Sequence, residues 1–246
     1  MKIIAIDSSG LVASVAVIED DLLIAEYNTQ YQKTHSQTLL PMLDELKKMT
    51  ELDLNSIDAI AIAKGPGSFT GLRIGSATAK GLAYALDVPI VELSTLEGMA
   101  ANLYGSDAYI CPMMDARRME VYSALYKYTL IDGKYTLQTL IEDVALPIEE
   151  MVNRINEVNK DNRPVMFLGD GVGVAQEIIK DKLSSEYVWA PEHMNRQRAA
   201  SLGFLAMEKL RLGETVSCYE HEPEYLRVSQ AERTRNEGIK TKGSNY

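Results

Sequence analysis

Apolar residues come in short runs along the first thirty positions and then recur at helical spacing. Residues 2–6, 12–18 and 22–27 read as strands, parted by Ser8-Ser9-Gly10 and by the turn Glu19-Asp20-Asp21. A helix is expected over 36–49, a strand over 59–63, a helix over 72–86 and a strand over 89–93. Ser94 or Thr95 then caps a helix reaching 103, with Glu97 near its first turn. The second half restarts the pattern. Residues 109–114 form a strand ending at Asp115, 120–128 a second strand, and 135–140 pairs back through the hairpin turn Asp132-Gly133. A helix over 147–158, a buried strand over 165–168 ending in Gly169-Asp170-Gly171, a helix to 183 and a helix over 198–212 follow.

Each half therefore opens strand, Asp, turn, strand, turn, strand, with Asp7 and Asp115 at equivalent places. That repetition implies a duplicated α/β unit with a cleft between the copies. The expected division is 1–105, 106–228 and a polar tail over 229–246. The tail has no apolar period and is expected to be disordered.

Two helices look more apolar than one packed face requires. The first carries Leu39, Leu43 and Leu46 as one stripe, with Leu40 and Met42 spilling beyond it. Pro41 is expected to start or bend the regular helix near Leu40. The second has Gly75, Ala79 and Ala83 at i, i+4 and i+8, with Gly81 on a neighbouring face. Small residues in a row permit close approach, either by the helix's own sheet or by another subunit. The sharper expectation is a helical dimerisation surface made by both helices.

Between the fourth strand and that second helix lies Lys64-Gly-Pro-Gly-Ser-Phe-Thr-Gly-Leu-Arg-Ile-Gly75. Its glycines suit a sharp turn with close backbone approach, opening a helix with free N–H groups. A Walker loop needs Lys-Ser/Thr after the last glycine, and here Leu72 and Arg73 follow Gly71. A nucleophile elbow around Ser68 needs glycine at 66 and 70, which hold Pro66 and Thr70.

Composition narrows the rest. The 246 residues carry a net charge of −10, poor equipment for gripping a phosphate backbone alone. Lys2 leads into a short apolar run ending at Asp7, unlike a secretory signal, and no run approaches membrane-helix length, so a cytoplasmic protein is expected. Cys111 and Cys218 read as two reduced thiols. The three histidines, His35, His193 and His221, are dispersed, which disfavours a sequence-local metal site.

Taken together, several segments resemble the TsaB (YeaZ) family of the tRNA threonylcarbamoyladenosine system. They are IIAIDSS with VASVAV, HSQTLLPML, AIAIAKGPGSFTGLRIGSATAKGLA, VELSTLEGMA, MDARRMEVY, LGDG and PEYLR, spanning residues 3 to about 227. The glycine segment is the most specific. The resemblance implies an actin-like ATPase (ASKHA) fold of two lobes, each a mixed sheet flanked by helices. It implies no catalytic residue in this subunit. Instead it implies a scaffold that pairs with TsaD, the metal-bearing subunit that transfers threonylcarbamoyl to N6 of adenosine 37 beside the anticodon. TsaE belongs to the same complex, TsaC supplies the adenylate, and tRNA is reached only through the complex.

TsaD-type relatives carry a His-x-x-x-His metal pair, of which this chain aligns only His35. The expected partner interface, for TsaD and for a second copy, is His35, Leu39, Leu40, Leu43, Leu46, Leu72, Gly75, Ser76, Ala79, Lys80 and Ala83. The resemblance also implies that Asp7 and Asp115 correspond to phosphate-hairpin positions, so that Asp7, Ser8, Ser9, Asp115, Arg117 and Arg118 are the expected nucleotide or partner edge. No cofactor is expected in the subunit, with ATP or ADP at most weakly held, because the 115–118 turn has no glycine. The competing readings are a stand-alone ATPase or kinase of this fold and, last, a metallopeptidase.

Overall fold

Strands β1 (Lys2–Asp7) and β2 (Ala13–Glu19) are apolar at nearly every position because both of their faces are covered. The computed structural model describes residues 1–31 and 34–227, so the expected tail disorder concerns residues outside the described ones. β3 (Leu22–Thr29) completes an antiparallel meander, and β4 (Ala59–Gly65) and β5 (Ile90–Ser94) add in parallel beside β1, giving the order β3-β2-β1-β4-β5.

The second half repeats that order. β6 (Tyr109–Asp115), β7 (Glu120–Ile131) and β8 (Lys134–Pro147) form the meander, while β9 (Val165–Leu168) and β10 (Tyr187–Trp189) run parallel beside β6. The sheet reads β10-β9-β6-β7-β8. The β7–β8 hairpin is longer than its sequence pattern indicates, since register shifts near Ser123 and Leu125 break the alternation. Asp132 and Gly133 turn it with both φ angles positive, 50° and 81°.

One face of the first sheet is covered by α1 (His35–Met49) and α2 (Phe69–Leu86). Leu39, Leu43, Leu46, Ala79 and Ala83 pack there on Ile4, Ile6, Val15 and Ile62. Burying each leucine contributes roughly 1.5–3 kcal/mol. α1 runs through Pro41 rather than starting there. Pro41 and Gln37, whose carbonyl loses its helical donor, both lie on the exposed side, open to water. Ser68 caps α2, its hydroxyl accepting from the Gly71 N–H at 3.3 Å, so the helix opens one turn earlier than expected.

In the second lobe, α4 (Ile148–Val158) and α5 (Val172–Lys182) cover one face, packing Met151, Ile155 and Ile179 on Cys111, Met113 and Phe167. The other faces are covered by exchange. α3 (Thr95–Ala100), from the first half, packs Leu96 and Met99 on the second sheet. α6 (Ala199–Arg211), from the second half, packs Leu202 and Ala206 on the first sheet. Val216 then bridges to Ile90 of β5. The lobes are thus not cut cleanly near residue 105, because α6 and the segment after it belong with the first sheet.

Candidate functional site: the cleft between the lobes

The β1–β2 turn and the glycine segment are built against each other. Ser8 Oγ donates to the Gly71 carbonyl at 2.9 Å, and the Ser68 N–H donates to the Ser9 carbonyl at 2.7 Å. A Cβ on Gly67 would lie 2.3 Å from the Ser9 oxygen, and one on Gly71 would lie 2.1 Å from the Ser8 oxygen. The close approach these glycines permit is therefore to their own chain.

Asp7 ends β1 beneath this contact. Its carboxylate accepts from the Ser9 N–H at 2.9 Å and from Ser9 Oγ at 2.6 Å. Burial pushes its carboxyl up to about 6, against the lowering effect of the Ser9 hydrogen bonds and of His35. His35, at the start of α1, donates from Nε2 to the Gly10 carbonyl at 2.8 Å, leaving Nδ1 buried without a partner among the described residues.

The second lobe brings up its equivalent turn. Asp115 accepts from the Arg117 N–H at 2.7 Å, and the Asp115 N–H donates to Asp170 at 3.1 Å. Burial lifts the Asp170 carboxyl above the usual range. Arg117, Arg118 and Met119 have φ of 67°, 59° and 59°, three consecutive left-handed residues without a glycine. Between the two turns lies a cavity of about 900 Å³, lined by Ser9, Gly10, His35, the start of α2, Asp115, Arg117, Arg118, Asp170 and residues 224–227. Of the expected edge residues, Ser9, Asp115, Arg117 and Arg118 face it; Asp7 and Ser8 lie underneath and do not.

The expected partner residues divide differently from the sequence reading. Leu39, Leu43 and Leu46 of α1, and Leu72, Gly75, Ser76, Ala79 and Ala83 of α2, are buried inside the subunit. Gly75 is small because a Cβ there would meet Ser8 Oγ at 2.4 Å. A stripe that packs on its own sheet cannot also meet a partner. Leu40 remains outside, 56% exposed, with Met49 further along α1. On α2 the outward row is Ala77, Gly81 and Ala85, beside exposed Tyr84, and a Cβ on Gly81 would meet nothing within 4 Å.

Ser76 and Lys80 have an internal task. Ser76 Oγ lies 2.9 Å from His221 Nε2, Glu92 Oε1 lies 2.6 Å from His221 Nδ1, and Lys80 Nζ donates to the His221 carbonyl at 2.8 Å. The sequence reading missed this group. His221 and Glu92 are 129 positions apart, with no local pattern linking them.

Comparison with known proteins accords with this architecture. Residues 24–234 match the family described as TsaD: tRNA N6-adenosine threonylcarbamoyltransferase. The Bacillus subtilis protein named tRNA threonylcarbamoyladenosine biosynthesis protein TsaB is 36% identical over 94% of this chain and 96% of its own length. The chain belongs to the TsaB (YeaZ) family. The TsaB of Haemophilus influenzae is 29% identical over 92% of this chain and 94% of its own. The solved YeaZ of Pseudomonas aeruginosa superposes with a TM-score of 0.76 at 29% identity, covering 92% of this chain and 99% of that one. The duplicated sheets are the actin-like ATPase fold in its TsaB/YeaZ form. Among the described residues, no three His, Cys, Asp or Glu side chains converge to hold a metal ion, and no helix is long and apolar enough to cross a membrane.

Proposed function

We propose that this chain is a non-catalytic scaffold subunit in tRNA threonylcarbamoyladenosine biosynthesis, working in the cytoplasm. It pairs with a TsaD-type transferase, and with a second copy of itself, through the outer faces of α1 and α2. TsaE and TsaC act with the resulting complex, and tRNA is reached through it. The family relationship supports the pathway. The observation that carries the surface is the outward row Ala77, Gly81 and Ala85 on α2, beside exposed Tyr84, with the adjacent α1 carrying exposed Leu40 on one flank and exposed Met49 on the other. Small residues at i, i+4 and i+8 let another helix approach closely, and the flanking apolar groups supply area. A stable interface would bury about 1,600 Å² in total.

The test is the mass of a mixture with the TsaD-type subunit, measured by light scattering for wild type and Gly81→Glu. Open space around Gly81 lets the variant fold, and a charge buried in an apolar contact weakens association by several kcal/mol. An intact complex with Gly81→Glu would remove this surface.

The alternative is a stand-alone ATPase or kinase using the cavity of about 900 Å³ with the α2 N-terminus at its wall. It requires magnesium-dependent ATP turnover lost in Asp7→Ala. The glycine-free turn Arg117-Arg118-Met119 and the position of Asp7 beneath the lining weigh against it.

A further inference from the structure

We propose that residues 221–227 form a strap that holds the two lobes closed over the cleft, with His221 its anchor on the first lobe and Arg227 its anchor on the second. His221 is fully buried, although Glu222 beside it is exposed. Both of its ring nitrogens are bonded, to Glu92 of β5 and Ser76 of α2, and its carbonyl accepts from Lys80. Arranged as Ser, His and Glu, these side chains have the connectivity of a nucleophile triad. Yet Ser76 sits mid-helix, buried, and neither it nor His221 lines either large cavity, so no substrate reaches the hydroxyl. The group's chemistry is that of a fastening.

From that anchor the segment runs along the cleft, residues 224–227 forming part of its lining. The Glu224 N–H donates to the Lys64 carbonyl at 2.7 Å, and Lys64 Nζ pairs with the Glu224 carboxylate at 3.0 Å. Gly65 sits beneath this segment with φ 138°, and a Cβ there would lie 2.3 Å from the Glu224 carbonyl oxygen. One glycine of the conspicuous segment is therefore demanded by the strap itself. Tyr225 packs on Phe69 with ring centroids 4.9 Å apart, and its hydroxyl accepts from Arg73 Nε at 3.1 Å.

Arg227 then reaches the second lobe. Its guanidinium pairs with Glu120 at 2.8 Å, donates to the Ala116 carbonyl, and has a side chain only 10% exposed. It thus grips the same hairpin that carries the left-handed Arg117-Arg118-Met119 turn. Glu224 lines both the cavity of about 900 Å³ and a second interlobe cavity of about 730 Å³. The strap is the wall between them, and releasing it would merge the two into one open groove.

Hydrogen–deuterium exchange on the full chain tests this, using Arg227→Ala, His221→Ala and, as a control, the core variant Ile155→Val. With the strap released, peptides covering 222–226, 67–71 and 116–119 exchange at least tenfold faster, while strands 2–7 and 165–168 keep wild-type protection. Ile155→Val, which only loosens the second core, leaves the strap peptides unchanged. His221→Ala empties a buried site and can unfold the chain, so Arg227→Ala decides. Wild-type exchange in the strap and cleft of Arg227→Ala, or a rise spread evenly over both lobes, overturns the proposal.

Discussion

Gly75 and Gly81 stand on different faces of one helix and should answer the same substitution with opposite signs. A Cβ on Gly75 lies 2.4 Å from Ser8 Oγ and 3.2 Å from Ile62 Cδ1. The hydroxyl must swing aside, giving up its bond to the Gly71 carbonyl, a loss of about 1 kcal/mol. Overpacking against the sheet adds roughly 1–3 kcal/mol. Alanine's better helix propensity returns about 1 kcal/mol. Gly75→Ala therefore destabilises by about 1–3 kcal/mol. At Gly81 the added methyl meets nothing, so only the propensity term acts, and Gly81→Ala stabilises by about 0.5–1 kcal/mol. For a chain of this size, each kcal/mol moves Tm by roughly 2–4 °C. Urea unfolding followed by circular dichroism reads both, with the midpoint moving and the slope unchanged. A stabilising Gly75→Ala, or a destabilising Gly81→Ala, would mean the inward and outward faces of α2 are assigned wrongly. The pairing surface on Ala77, Gly81 and Ala85 would then be lost with them.

Asp7 should give a pH signature. Its folded pKa, about 6, lies above the ordinary 3.8, so its contribution is full below about pH 4 and lost as pH rises through 6. Asp7→Asn keeps an acceptor for Ser9 and should be more stable than wild type at pH 8 by up to about 3 kcal/mol, the advantage fading by pH 4; a pH-independent difference in urea midpoints would refute the burial argument. Leu43, 6% exposed, and Leu40, 56% exposed, sit on one helix, and Leu43→Ala should cost about 2–5 kcal/mol while Leu40→Ala stays within about 0.5 kcal/mol. Equal losses in chemical denaturation would contradict the packing of α1. A charge placed at Leu43 would likewise disturb folding rather than report on pairing.

The duplicated architecture was legible because strand and helix periods are local. Apolar runs ending at Asp7 and Asp115, the turn at Asp132-Gly133 and the helices on either side of the glycine segment appear where the pattern puts them, apart from the first turn of α2, which Ser68 caps earlier. The orientation of α2 was not legible. Gly75, Ala79 and Ala83 form one row and Ala77, Gly81 and Ala85 another, and composition cannot tell two rows of small residues apart. The packed sheet chose between them, because Ser8 and Ile62 occupy the space over Gly75 and nothing occupies the space over Gly81.

His221 shows the same limit more sharply. In the sequence it is one of three dispersed histidines; in the fold it meets Ser76 and Glu92, from 145 and 129 positions away, and fastens a segment that runs on to the other lobe. The sequence by itself determined most of the elements, their duplication and the family, though not the short edge strand β10, whose three residues are too few to show a period. The tertiary structure alone decided which faces are spent inside the subunit, which remain free, and what ties the lobes together. Period and turn chemistry act between neighbours in the chain, whereas burial and long-range hydrogen bonds exist only once distant segments share space.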